Sequence, residues 1–65
     1  MANHKEALQY IVNTNGGATR ENFEEDFEPV GGLLWLDLVY ACHVMQDNDG
    51  KLFLTEDGKA ALAAA

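Results

Sequence analysis

The apolar residues near the start of the chain recur at helical spacing. Ala7, Leu8 and Ile11 are separated by one, three and four positions, so they share one face of an amphipathic helix. Asn3 suits the N-cap, and the asparagines and glycines that follow the helix tolerate the left-handed backbone of a C-cap. This pattern predicts a first helix over residues 3–13.

A second apolar pair lies within a strongly acidic segment. Phe23 and Phe27 are four positions apart and therefore lie on the same side of a helix. Thr19 suits the N-cap, and Pro29 stops the helix because it has no backbone N–H to donate. The second helix is predicted over residues 19–28.

The longest apolar run extends from Gly31 to Met45. After its two glycines only Asp37 and His43 interrupt it. Its length favours a third helix, predicted over residues 32–43, and in so short a chain we expect it to supply most of the core. A helix that is apolar on every side is buried on every side, or it leaves a patch that a partner covers.

The last third of the chain predicts a hairpin and a final helix. Asp49-Gly50 is a favoured pair for a tight turn and places a β-hairpin over residues 44–54. Thr55 suits the N-cap of a last helix over residues 56–63, whose first residues are acidic, as a helix N-terminus favours. We therefore expect a mainly α-helical domain with a small β-hairpin.

Length and charge limit the function. The 65 residues suffice for a single domain, residues 1–65, with a modest core. Eleven acidic and four basic residues give a net charge of −7, and such a surface repels phosphate backbones, so nucleic acid is a disfavoured partner. The acidity is interpreted either as a solvated surface, including one adapted to a salty cytoplasm, or as a surface that meets a basic partner or imitates nucleic acid.

Several classes of function lack the residues that they need. The single cysteine, Cys42, rules out an intrachain disulfide, and with only His4 and His43 beside it there is no zinc set. No secretory signal is visible, and the apolar run is shorter than the roughly 20 residues that span a membrane. No catalytic constellation is present. The sequence predicts a cytoplasmic non-enzyme without a cofactor and without membrane contact.

The C-terminal segment carries a family resemblance. Residues 50–62, Gly-Lys-Leu-Phe-Leu-Thr-Glu-Asp-Gly-Lys-Ala-Ala-Leu, resemble the wing-to-last-helix segment of bacterial and archaeal winged-helix proteins, where a strand runs into Leu-Thr-Glu-x-Gly and then a helix. The resemblance implies a winged-helix-like fold of three helices, a hairpin wing and a short C-terminal helix. It also implies a third helix that enters the DNA major groove. On that interpretation the chain is a DNA-binding transcriptional regulator, with phosphate contacts from Arg20, Lys51 and Lys59.

The third helix departs from the winged-helix pattern. A recognition helix presents polar and cationic side chains to bases and phosphates, whereas this one contains no cation. We therefore expect a protein-interaction module, acting as a regulator, an adaptor or a phage-type inhibitor, that binds a partner protein or associates with itself. For Trp35 a place in the core remains the alternative. The residues expected to bind the partner are Trp35, Leu38, Val39, Glu24, Glu25, Asp26 and Glu28.

A weaker alternative is a calcium loop that overlaps the hairpin turn. Asp47, Asp49 and Glu56 occupy the third, fifth and twelfth places of such a loop, and Gly50 occupies the sixth. The first place needs a carboxylate and holds Met45 instead. An acidic hairpin turn without a metal is the favoured interpretation.

Overall fold

A computed structural model describes residues 3–64, which form four helices and a two-stranded antiparallel hairpin. Three helices precede the hairpin and one follows it, so the chain is mainly helical with a small hairpin, as predicted. The elements are α1 (His4–Thr14), α2 (Arg20–Asp26), α3 (Gly31–Tyr40), β1 (Val44–Gln46), β2 (Leu52–Leu54) and α4 (Glu56–Ala64).

The first two helices begin at the caps that the sequence predicts. The Asn3 side chain accepts a hydrogen bond from the backbone N–H of Glu6 at 2.9 Å. Thr19 and Asn22 form a reciprocal capping box, in which each side chain accepts a hydrogen bond from the other residue's backbone N–H. Asn15 ends α1 with a left-handed backbone, φ 48°.

Two helices end earlier than predicted. The second was expected to reach residue 28 and ends at Asp26, so the chain turns before the proline. The third was expected to reach residue 43 and ends at Tyr40. There the N–H of His43 donates to Leu38 and that of Cys42 donates to Val39, with Cys42 at φ 60°. This pair of bonds is a Schellman motif, whose left-handed residue stops the helix.

The hairpin is anchored to the start of α2. Val44 lies opposite Leu54 in the antiparallel register of β1 and β2. Just before β2, the backbone of Lys51 forms an antiparallel bridge with Thr19, and the N–H of Leu52 donates to the carbonyl of Ala18 at 2.8 Å. The segment that enters α2 therefore pairs with the outer edge of β2.

The buried core residues come from α1, α2, α3 and β2. Helix α3 supplies only three of its nine buried residues, so the expectation that the apolar run from Gly31 to Met45 supplies most of the core is wrong. Each element buries one face against the others, so the remaining faces of α3 are exposed to solvent. The buried core residues are Ala7, Leu8, Ile11, Phe23, Leu34, Trp35, Leu38, Leu52 and Leu54.

Two glycines allow close approaches between elements. A Cβ at Gly31 would overlap the backbone of Glu24, so this glycine lets α3 pack tightly against α2. A Cβ at Gly58 would overlap the backbone carbonyl of His43, so α4 rests directly on the segment between α3 and β1. Both contacts fix the orientation of α3 relative to the rest of the chain.

Candidate functional site

Helix α3 has a buried face and an exposed face that are both apolar. Gly31, Leu34, Trp35 and Leu38 point into the core. The opposite side exposes large apolar side chains, and Tyr40 is 79% exposed. Because α3 buries one apolar face and exposes another, part of its apolar surface stays uncovered.

We define the α3 face as Leu33, Leu36, Val39 and Tyr40. Their side chains are 67%, 43%, 42% and 79% exposed. Leu33, Leu36 and Tyr40 lie three and four positions apart and form one stripe, with Val39 at its edge. Asp37 is the charged residue on the exposed side. The α3 face therefore presents one contiguous row of apolar groups to solvent.

A groove of ≈ 460 Å³ adjoins the α3 face and shares Leu33 with it. Its lining combines five apolar residues with three carboxylates. Among residues 3–64 its lining contains no lysine or arginine. We call this the acidic groove. It is lined by Glu6, Asp26, Phe27, Glu28, Pro29, Val30, Leu33 and Leu34.

A hydrogen bond holds one carboxylate of the acidic groove in place. The hydroxyl of Tyr10 donates to Asp26 Oδ2 at 2.6 Å. The Tyr10 ring packs edge-on against Phe23 and Phe27, with centroids 5.7 and 5.3 Å away. The pKa of Tyr10 is raised from 10.0 to about 12, first by burial and then by the hydrogen bond to Asp26 and the charges of Asp26 and Glu25. The bond ties α1 to the end of α2 beside the groove.

The expectation that Trp35 and Leu38 are exposed is wrong for both residues. Trp35 is 6% exposed and Leu38 is fully buried, because α3 turns these positions toward α1, α2 and the hairpin. The guanidinium of Arg20 lies 5.4 Å from the centroid of the Trp35 ring, within the range of a cation–π contact. Of the three apolar positions predicted to bind a partner, only Val39 lies on the surface.

The predicted acidic residues divide into two groups. Glu24 is half-buried and accepts a hydrogen bond from Arg20 Nε at 2.6 Å, so its charge is partly matched within α2. Glu25 is exposed. Asp26 and Glu28 are exposed and line the acidic groove. The structure thus brings two of the predicted acidic residues beside the α3 face.

The three cations assigned to phosphate contacts lie in different settings. Arg20 is engaged by Glu24 and by the ring of Trp35. Lys51 is half-buried beside the start of α2. Lys59 Nζ is 3.9 Å from Glu56 Oε1, and Lys59 lines a second groove of ≈ 460 Å³ between α1, the hairpin and α4. That groove is lined by Ile11, Val12, Asn15, Gly16, Met45, Phe53, Leu54 and Lys59.

The calcium alternative does not fit the geometry. The carboxylate of Asp47 accepts hydrogen bonds from the backbone N–H groups of Asp49 and Lys51, both at 2.9 Å, and so closes the hairpin turn. Strand β2 separates this turn from Glu56. In residues 3–64, no three His, Cys, Asp or Glu side chains group as a metal site. Asp47 therefore stabilises the hairpin turn, Asp49 is part of that turn, and Glu56 belongs to α4.

Two structural features of this surface could not be predicted from the sequence pattern. Leu33, Leu36 and Tyr40 share a stripe in the sequence, but nothing in that stripe marks it as the exposed one. His4 and His43, 39 positions apart, form a hydrogen bond that no local pattern signals. Both features depend on how α3 is oriented within the fold.

Comparison of the chain with known proteins finds no relative. No protein-family model, no curated protein and no solved structure matches the chain. Separately, none of the helices in residues 3–64 has the length and apolar character required to cross a membrane.

Proposed function

We propose that this chain is a small winged-helix-like module that binds a protein partner through the α3 face and the acidic groove. The observation that carries the proposal is the contiguous exposure of Leu33, Leu36 and Tyr40 on a helix that is also buried on its other side. Contiguous exposed apolar surface is typical of protein-binding sites. Tyr40 adds a ring with a polar hydroxyl, and tyrosine is enriched among the residues that dominate binding energy.

The charge around the α3 face specifies the partner's chemistry. Glu6, Asp26 and Glu28 line the acidic groove, and the whole chain carries a net charge of −7. Complementary charges steer association and suppress wrong partners. The partner segment is accordingly an amphipathic helix whose apolar side covers Leu33 and Tyr40 and whose lysines or arginines meet the groove.

The arrangement of elements supports the winged-helix part of the proposal. Three helices are followed by a hairpin, and Thr19 ahead of α2 pairs with Lys51 just before β2. The hairpin is thereby held beside the helices in the manner of a wing. Helix α3 takes the place of a recognition helix but offers leucines and a tyrosine where DNA would need cations and amides. A module of this kind serves as a regulator or adaptor without catalysing a reaction.

The test uses a synthetic amphipathic helix of lysine and leucine as the probe, with a glutamate–leucine helix of the same pattern as its control. Backbone amide NMR shifts are recorded while each peptide is titrated into the protein. We expect the lysine peptide to shift the amides of Leu33, Leu36 and Tyr40, with binding that weakens as salt rises. The glutamate peptide leaves these amides unchanged.

Matched variants locate the binding surface. Tyr40→Ser removes the most exposed ring of the α3 face, whereas Met45→Ser changes an exposed residue of the second groove. We expect Tyr40→Ser to weaken peptide binding and Met45→Ser to leave it intact. Equal loss in both variants, or shifts confined to the second groove, would contradict the proposal. So would tight, salt-sensitive binding of duplex DNA with shifts on α3.

A further inference from the structure

We propose that His4 and His43 together bind a divalent transition-metal ion of the copper or nickel type. His4 Nε2 lies 2.8 Å from His43 Nδ1, with the ring centroids 5.0 Å apart and the ring planes at 74°. The two nitrogens come from separate parts of the fold, the first turn of α1 and the segment between α3 and β1. Imidazole nitrogen is the protein ligand that copper, nickel and zinc share.

The spacing of the two nitrogens matches one coordination geometry better than another. At a metal–nitrogen distance of about 2.0–2.1 Å, neighbouring ligands of a square-planar or octahedral ion are about 2.9 Å apart, and those of a tetrahedral ion about 3.3–3.4 Å. The hydrogen bond already holds the two nitrogens 2.8 Å apart, close to the first value, so their spacing is compatible with that geometry. Square-planar and tetragonal nitrogen sites favour Cu²⁺ and Ni²⁺, and the general affinity order also places Cu²⁺ above Ni²⁺.

The backbone of His43 is held on both sides, which fixes one ligand in advance. Its N–H donates to Leu38 at 2.9 Å and its carbonyl accepts from the N–H of Thr55 at 3.0 Å. Gly58 packs against the same carbonyl. His4 projects from α1, which begins at the capped Asn3. Ligands on anchored backbone lose little freedom when a metal binds.

Binding requires a proton to move but none to leave. In the hydrogen bond one facing nitrogen carries the proton and the other accepts it. When both rings are neutral, the donor ring shifts its proton to its far nitrogen, and both facing nitrogens then offer lone pairs to the metal. Each ring tilts so that its lone pair points at the ion rather than at the other ring.

The remaining coordination positions are filled by water. No third His, Cys, Asp or Glu joins the pair within residues 3–64. Two protein ligands give a site of modest affinity with open positions. Because the ligands are 39 positions apart and come from separate elements, metal binding favours the folded chain.

The experiment measures unfolding and NMR spectra of the full chain with NiCl₂, and with MgCl₂ as the control salt. At a Ni²⁺ concentration ten times its Kd, the folding equilibrium constant should rise about elevenfold. His4→Gln and His43→Gln should each abolish this rise, while Cys42→Ser should preserve it. With two imidazoles and its other positions filled by water, Ni²⁺ is octahedral and therefore paramagnetic. It should broaden the ring resonances of His4 and His43 in the unmodified chain, which gives a readout that does not depend on either variant folding.

Four results would overturn the proposal. One is a Ni²⁺ response that survives in His4→Gln. Another is a response lost in Cys42→Ser, since that would place the ion on the thiol. The third is an unmodified chain whose two histidine rings stay sharp while Ni²⁺ is added. A response equal to that of Mg²⁺ counts against it in the same way, because Mg²⁺ prefers oxygen ligands.

Discussion

The backbone carbonyl of His43 lies directly against Gly58, so that α4 touches the segment between α3 and β1 without any side chain in between. Gly58 is buried within the first turns of a helix, where glycine is intrinsically unfavourable. Its presence is explained by this contact rather than by helix propensity.

Gly58→Ala should therefore destabilise the protein. The added methyl group would overlap the His43 carbonyl, and forcing atoms into a packed contact costs about 1–3 kcal/mol. The free energy of unfolding from urea denaturation measures the change.

Gly32→Ala is the matched control for that substitution. A Cβ at Gly32 meets nothing within 4 Å, so alanine there gains helix propensity of about 0.5–1 kcal/mol. Unchanged stability in Gly58→Ala would show that the packing of α4 is described incorrectly. A loss of stability in Gly32→Ala would show that the space beside the start of α3 is not open.

Cys42→Gly should stabilise the chain. Cys42 is exposed and has φ 60° in the motif that ends α3. Residues that carry a Cβ adopt this left-handed backbone conformation at a cost, whereas glycine does not. After the extra freedom of glycine in the unfolded chain is subtracted, the expected gain is about 0.5–1 kcal/mol. Thermal unfolding under reducing conditions measures it. Cys42→Ala keeps the strained backbone, so its stability should stay close to that of the original chain.

The stability should fall in alkaline solution because of Tyr10. Its pKa is raised from 10.0 to about 12 in the folded protein, chiefly by burial and then by Asp26. Between these values the unfolded chain has lost the phenol proton that the folded chain keeps, so the contribution is fully present below pH 10 and is lost as pH rises through about 12. Tyr10→Phe removes this group. The difference in unfolding free energy between the two proteins should shrink over that window, and a constant difference would contradict the assignment.

Substitutions on the two sides of α3 should change the stability by very different amounts. Trp35→Ala empties a buried site in the core and should cost about 3–5 kcal/mol, which in so small a domain approaches complete unfolding. Tyr40→Ser changes a side chain that is 79% exposed and should alter stability by less than about 0.5 kcal/mol. Circular dichroism at increasing denaturant compares the two variants. Comparable losses in both would mean that Tyr40 is covered in solution.

The sequence alone determined where the elements begin and where the hairpin turns. These features are local: Asn3 and Thr19 accept hydrogen bonds from residues three positions on, and Asp47 binds the N–H groups of its own turn. A cap or a tight turn needs only a few neighbouring residues, so its chemistry can be recognised without knowing the rest of the fold. The predicted ends of α2 and α3 were wrong. For α3 the reason is that the Schellman motif places a left-handed backbone at Cys42, a residue type that gives no sequence signal of it.

Only the tertiary structure decided which side of α3 faces solvent. The helix is apolar all round, so periodicity could not choose between the stripe of Trp35 and Leu38 and the stripe of Leu33 and Tyr40. The choice follows from Gly31, which lets α3 lie against α2 and turns Trp35 toward the core. The same orientation brings His43 to His4 across 39 positions of chain. Contacts between distant residues arise from packing, and no local pattern encodes them.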